Sequence, residues 1–298
     1  MPSTKLMKIQ CVHAHPDDFE FVAAGTFTRF NLEKNTTSLA TICTDGAGGH
    51  HRHSRELTAH IRRDEQERAL SIGTVGCEWL HLPDGKIPRE GCIDVGRLFL
   101  AALWKSIRQF QPTYLFCPPL PSDPLAGVHV DHVAVAEGVR KVAYLLNVPH
   151  AFTPEYPELE TPEPHTCATP VILQTHDSYT AGGNAFDLAI DVEDQFGTIA
   201  RMSWAHQSQI TEWLPWVGRH HMQPPSSLAD WESMLRKRFL RRNREMGVTS
   251  SRIHEFFTVT AWGEVPSIDQ LLLDFPGIAP DWSQLSLLEN RLTRWRTD

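Results

Sequence analysis

The first half of the chain alternates short apolar runs with longer amphipathic segments, and this alternation constrains the fold more than any other feature. Runs near 8–13, 38–44, 77–82 and 113–117 have the length and composition of strands. The segments between them, near 21–32, 55–72 and 94–110, have helical spacing. In the last of these, Val95, Leu98, Phe99, Ala102 and Leu103 fall on one face. Gly73 and Pro112, just past the second and third helices, act as stop signals. Strands separated by helices pair in parallel through right-handed crossovers. The expected fold is therefore α/β, a Rossmann-like doubly wound, mostly parallel sheet with helices on both faces.

After the fourth strand come a Pro-rich loop over 118–128 and a helix over about 131–146. Residues 148–168, rich in Pro, Glu and Thr, read as a surface excursion. Strands follow at 170–175 and 188–192, then helices near 195–206 and 228–246 and a late strand at 254–262. The helix at 228–246 carries Arg236-Lys237-Arg238 and Arg241-Arg242, which read as a solvated face or a contact with the acidic remainder, with a phosphate-binding patch as the alternative. No repeat or linker divides the chain. Residues 1–298 are expected to form one domain with a C-terminal elaboration.

Composition removes several classes of function. At 298 residues and 41% hydrophobic, the chain can bury a full core. With 28 Lys+Arg against 36 Asp+Glu, the net charge is −8, which argues against binding nucleic acid or an anionic membrane. No apolar run approaches the roughly 20 residues of a membrane span, and residues 1–10 lack the apolar core of a signal peptide. The six Cys are scattered without a Cys-x-x-Cys pair, which fits a reduced, cytoplasmic setting. A small-molecule substrate is the expected partner, and a homo-oligomer stays open. The 16 His stand out and raise the question of metal ligands.

Two motifs address it. His13-Ala14-His15-Pro16-Asp17-Asp18 follows the first strand. Pro16 stops that strand, and the two carboxylates open the next helix, where the positive helix end favours negative charge. Asp17 and Asp18 could serve only as helix caps, but His15 and Asp18 can also converge on one cation. His129-Val130-Asp131-His132 follows the fourth strand and opens another helix, and two His three apart around an Asp suit a metal or proton-transfer site. In a sheet of order 3-2-1-4-5, strands 1 and 4 are neighbours at the switch point, where ligands bind outside the carboxyl ends. Topology would thus join the two motifs into one site.

The ligand set is then His15, Asp18 and His132. It suits catalytic zinc with an open position and equally non-haem iron. Asp17 could take a proton from water acidified by the metal, and His129 could stabilise an oxyanion or protonate a leaving amine, with Asp131 orienting the cluster. His13 shares a strand face with His15 and reads either as a fourth ligand or as a histidine packed behind the others.

Through Ala14-His15-Pro16-Asp17-Asp18 and His129-Val130-Asp131-His132 the sequence resembles the PIG-L/LmbE-like de-N-acetylase family. The likeness continues through Thr44-Asp45-Gly46, Arg62-Arg63-Asp64-Glu65 with Ala69, Leu82-Pro83-Asp84-Gly85 and His206-Gln207-Ser208-Gln209. It covers about residues 6–210 and leaves an extension over about 211–298. The resemblance implies one Zn²⁺ per chain held by His15, Asp18 and His132, with Asp17 as general base. It implies that His129 stabilises the intermediate or protonates the amine, that Asp131 tunes that histidine, and that Arg62 contacts substrate. Members of the family remove acetyl groups from N-acetylglucosamine units on inositol, malate, antibiotics or short oligosaccharides, and one branch cleaves amides of thiol conjugates. Phe19 and then Glu20 stand where many members have Glu directly after the two Asp, and Val130 stands where Pro is common. The Val130 change and the long loop before it bear on pocket shape.

His50, His51 and His53 follow Gly46-Ala47-Gly48-Gly49 and read either as pocket wall or as a solvated loop. The glycines lack the dinucleotide-binding pattern. Trp213 and Trp216 could stack on a sugar or pack in the protein, and His206 could face the pocket. The leading expectation is a zinc-dependent deacetylase of an N-acetylglucosamine-like sugar or its conjugate. The alternatives are an amidase of thiol-sugar conjugates, a non-haem iron oxygenase and a non-catalytic sugar-binding protein.

Overall fold

The computed structural model describes residues 6–163, 166–177, 185–218 and 222–296. The chain begins with strand β1 (Met7–His13), helices α1 (Asp18–Val22) and α2 (Ala24–Glu33), strand β2 (Thr36–Ile42), helix α3 (Arg55–Ile72) and strand β3 (Gly76–Trp79). Helix α4 (Arg97–Phe110), strand β4 (Tyr114–Cys117), helix α5 (Val130–Ala143) and strand β5 (Val171–Thr175) follow. The remainder contributes β6 (Leu188–Asp191), α6 (Phe196–Trp204), α7 (Leu214–Val217), α8 (Leu228–Glu245), β7 (His254–Val259), α9 (Ile268–Asp274) and α10 (Leu285–Trp295).

The sheet runs β3-β2-β1-β4-β5-β7-β6. Strands β1 to β5 pair in parallel, and β7 pairs antiparallel with both β5 and β6. The expected doubly wound, mostly parallel sheet is thus present, with β1 beside β4. Its two faces bury separate apolar clusters. Phe19, Phe27, Phe30 and Phe116 fill one, under α1, α2, α6 and α8, and Trp104, Leu115, Val135 and Val139 fill the other, under α4 and α5. Local chemistry sets the helix ends. The Ser54 side chain accepts from Leu57 N to start α3, and Gln111 closes α4 in a left-handed conformation just before Pro112.

The structure differs from the sequence reading in two places. The helix expected over 21–32 is two helices broken at Ala23, whose φ of −145° lies outside the helical region. The stretch 148–168 does more than cover the surface. Phe152 and Tyr156 are 7% and 6% exposed, and they pack into the α4–α5 core, where Phe152 meets Trp104 edge-on at 5.9 Å. Positions 164–165 of that stretch lie outside the described residues. The C-terminal elaboration extends the sheet, since β7 sits between β5 and β6 and joins them.

Candidate metal centre

The turn after β1 and the start of α5 meet at the carboxyl ends of β1 and β4. Asp17 precedes α1 with φ of 88°, a left-handed conformation uncommon for any residue but glycine. Its neighbour Asp18 is the first residue of α1 and turns one carboxylate oxygen into a crowd of nitrogens. Asp18 Oδ2 accepts from the His15 backbone N at 2.7 Å and lies 2.7 Å from His13 Nδ1, 3.2 Å from His15 Nδ1 and 3.2 Å from His132 Nε2. The three expected ligands therefore meet around one oxygen.

Each of the two imidazoles is gripped from behind. His15 Nε2 lies 3.0 Å from Asp131 Oδ2, and His132 Nδ1 lies 2.7 Å from Asp177 Oδ2. A ring nitrogen that donates to a carboxylate leaves the other nitrogen's lone pair for a cation, the usual arrangement behind metal-bound histidines. His15 Nδ1 and His132 Nε2 are the nitrogens so freed, and both face Asp18. The donor chemistry fits a divalent cation.

The charges agree with this geometry. Burial alone would raise Asp18, but His132, His13 and His15 outweigh it and hold the carboxyl well below the usual range. Burial would lower both of these histidines, yet Asp18 and the carboxylates behind them raise His15 to about 9 and His132 to about 11. A cation bound here would displace protons from both rings.

The donor atoms also fall into two compact groups, each within 4.8 Å: His13 with Asp18 and His132, and His15 with His129 and Asp131. His15 connects them, with one nitrogen towards each. His13, 3% exposed, packs its ring edge-on to His132 at 5.0 Å, which puts it among these residues.

Asp131 is placed differently from the sequence expectation. Its Oδ2 is 3.0 Å from His15 but 4.0 Å from His129, and the backbone N of Gly91 and of Ile93 donate to its carboxylate. It thus orients His15 in place of His129. His129 caps α5, accepting from Asp131 N at its own Nδ1. In the neutral ring the proton then sits on Nε2. Burial and the neighbouring His15 lower the pKa of His129 and favour that neutral form.

Arg62 also departs from expectation. It is 3% exposed and braces the surrounding turns: Nη2 donates to Pro16 O at 2.7 Å and reaches Asp17 Oδ1 at 3.3 Å, while Nη1 donates to Gly46 O at 2.9 Å and reaches Glu90 at 3.3 Å. Gly46, at φ of 63°, lets the loop after β2 close on this turn, since a Cβ there would meet Pro16 Cγ at 2.8 Å. Asp17 N donates to Gln66 Oε1. Burial raises the Asp17 carboxyl to about 6, with Arg62 pulling the other way.

His206 is fully buried, with its Nε2 3.4 Å from Glu20 Oε1, so it lies behind α1 and away from solvent. Next to it Ser208 donates twice to Glu65, and Gln209 donates to Gly49 O, which ties the loop after β2 to α3. His50, His51 and His53 are stacked. His50 lies on His53 at 3.8 Å and on His51 at 5.1 Å, His51 lies on Trp216 at 4.6 Å, and Trp216 lies on Trp213 at 5.3 Å. His50, His53 and Glu212 have donor atoms close enough to share a cation. His50 Nδ1, however, already accepts from the backbone N of Arg52 and His53, which puts the ring proton on Nε2 facing Glu212 and opposes metal binding there.

Sequence reasoning missed Asp177. It belongs to no motif, and its one signal is position, two residues past β5 at the carboxyl edge that carries the other residues.

Residues 10–143 match the family model described as GlcNAc-PI de-N-acetylase, PIG-L. A mycothiol S-conjugate amidase of Streptomyces coelicolor is 28% identical over 176 residues, 53% of this chain and 57% of that protein, so the match spans little more than half of the relative's length. Among solved structures, N,N'-diacetylchitobiose deacetylase from Pyrococcus horikoshii has a TM-score of 0.64 at 21% identity, covering 85% of this chain and 83% of that one. The 4-carboxy-2-hydroxymuconate hydratase GalB of Pseudomonas putida KT2440 has a TM-score of 0.57 at 15% identity, covering 85% and 96%. At these identities the structures show a common fold. Both motifs lie inside the matched segment, and the resemblance to the PIG-L/LmbE-like de-N-acetylases is thereby shown.

Proposed function

We propose that the chain is a metal-dependent amidohydrolase that removes the acetyl group from an N-acetylglucosamine-like amino sugar or its conjugate, releasing acetate and a free amine. The observation that supports this reading most is the convergence of His15 Nδ1 and His132 Nε2 on Asp18 Oδ2, each ring held from behind by its own carboxylate. These three residues would hold the ion, zinc on this reading. When bound, it would act as a Lewis acid on the amide carbonyl and acidify the attacking water.

The other residues then have distinct tasks. Asp17, raised to about 6, is suited to accept a proton near neutral pH, and Arg62 fixes its carboxylate. His129 presents Nε2–H to the oxyanion that forms as the carbonyl is attacked, and the proton that Asp17 takes from water can pass on to the leaving amine. Asp131 keeps His15 oriented. Residues 1–298 are proposed to act as one domain. No helix among the described residues is long and apolar enough to cross a membrane, and the six cysteines are unpaired, which supports a cytoplasmic setting.

The test is an acetate-release screen with zinc-loaded protein over N-acetylglucosamine, its inositol conjugates and short acetylated oligosaccharides. Acetate from at least one of them is the expected result. None from any, with the metal bound and the fold intact, would overturn the reading. The Streptomyces relative favours a second reading, an amidase of thiol-sugar conjugates. Cleavage of a bulky thioether amide in preference to the acetyl sugars would select it.

A further inference from the structure

A cavity of about 40 Å³ lies between the end of α1 and one face of α8. It is lined by Phe21, His176, Arg238, Arg241, Arg242 and Glu245, together with Val22. By the allowance of roughly 10–15 Å³ per water it has room for about three, the size of one tetrahedral oxyanion. Its walls carry three guanidinium groups and an imidazole against one carboxylate.

Several of these polar groups lack partners. Arg242 Nη1 donates to Phe21 O at 2.8 Å, but its Nε and Nη2 are buried without a hydrogen-bond partner. His176 is 7% exposed, and its Nε2 is likewise buried and unpartnered. Buried donors are almost always satisfied in folded proteins, by protein, by water or by an ion. The nearby carboxylates are committed elsewhere. Glu255 accepts from Gly25 N and Thr26 N at 2.9 and 2.8 Å, Asp177 holds His132, and Glu245 faces Arg241 at 3.5 Å in an exposed pair. Two of the arginines are also fixed in plane, Arg238 over Phe21 at 4.6 Å and Arg242 over Phe239 at 4.1 Å.

We propose that this cavity binds a phosphate-like oxyanion through Arg238, Arg241 and Arg242, with the His176 ring, in its Nε2–H tautomer, as a further donor. Guanidinium forks match the geometry of such anions, and the bonds are charge-assisted. Burial, with Arg242 and Arg238 and against Asp177, pushes His176 down to about 3, and burial lowers Arg242 to about 10 against Glu255 and Glu245. One peptide unit joins His176 to Asp177, which holds His132, so the bound anion would sit next to the support of a proposed metal ligand. The anion would be either free phosphate or a phosphate ester on the substrate. The binding itself stands apart from the reaction proposed above.

The test is calorimetric titration of the full, metal-loaded chain with inorganic phosphate at constant ionic strength. One saturable equivalent is expected, weakened about tenfold or more in Arg242→Gln and Arg241→Gln. Should Arg242→Gln fail to fold, Arg241→Gln, at an exposed position, keeps the test decisive. Absence of saturable binding overturns the proposal. So does binding undiminished in Arg241→Gln, which would place the phosphate at the His15, Asp18 and His132 cluster. Kinetics separate the two sources of the anion. A substrate ester is identified by a lower KM for a phosphorylated acetyl sugar, lost in Arg241→Gln, and a free effector by a phosphate-dependent kcat on a neutral sugar.

Discussion

His132 turns Nδ1 to Asp177 at 2.7 Å and Nε2 towards Asp18 at 3.2 Å, so a carboxylate two residues past β5 decides which nitrogen of this ring faces Asp18. An Asp177→Asn variant should keep its fold and lose about 10–100-fold in metal affinity, the usual cost of removing such a support. Competition against a chromogenic chelator measures it, and unchanged affinity would show that Asp177 does not orient His132 for a metal.

Asp17→Asn should retain one equivalent of metal while turnover falls about 10²–10⁴-fold, the range for loss of a general base. Because Arg62 opposes the burial that raises Asp17, Arg62→Met should shift the acidic limb of the kcat/KM profile to higher pH. The base is active only when deprotonated, so wild-type activity should rise with pH through that limb. A limb that stays in place in the variant would remove Arg62 from this role.

His176 should make stability fall in acid. The folded protein keeps it neutral down to about 3, whereas the unfolded chain protonates it near 6.5. Its contribution is therefore complete above 6.5 and is lost as pH drops from there towards 3, at up to about 1.4 kcal/mol per pH unit. Denaturant titrations between pH 7 and 4 should show a shallower loss for His176→Gln than for wild type. Parallel curves would contradict this.

Gly138→Ala should destabilise the helix that carries His132. The added Cβ would lie 2.7 Å from Phe99 Cε1 and 2.8 Å from Leu103 Cδ1, where α5 packs on α4. Overpacking of this kind costs about 1–3 kcal/mol. A melting temperature equal to wild type would mean the two helices can part without cost.

What could be read from the sequence was what is encoded locally. The turn motifs lie next to the strands that position them, and alternation of strands and helices was enough to set β1 beside β4. The partners of the site were less accessible. Asp177 acts through a contact 45 residues away in sequence, and Asp131 serves His15 across 116 residues, ahead of the neighbouring His129. Arg62 has the sequence context of a helix surface and becomes buried only because Pro16, Gly46 and Glu90 fold over it. The break at Ala23 and the burial of Phe152 and Tyr156 likewise depend on what packs against them. Pairing of β7 with β5 leaves no local signature at all.

That last pairing has a consequence for how the protein is made. β5 leaves the ribosome at Thr175 with one edge paired to β4, and the strand that covers its other edge does not begin until His254. At about 5–20 residues per second, the edge beside the developing catalytic face stays open for several seconds. An open strand edge is a template for pairing with other chains. The nascent protein should therefore be most vulnerable to aggregation, and most dependent on chaperones, after its motifs have been synthesised and before its sheet is closed.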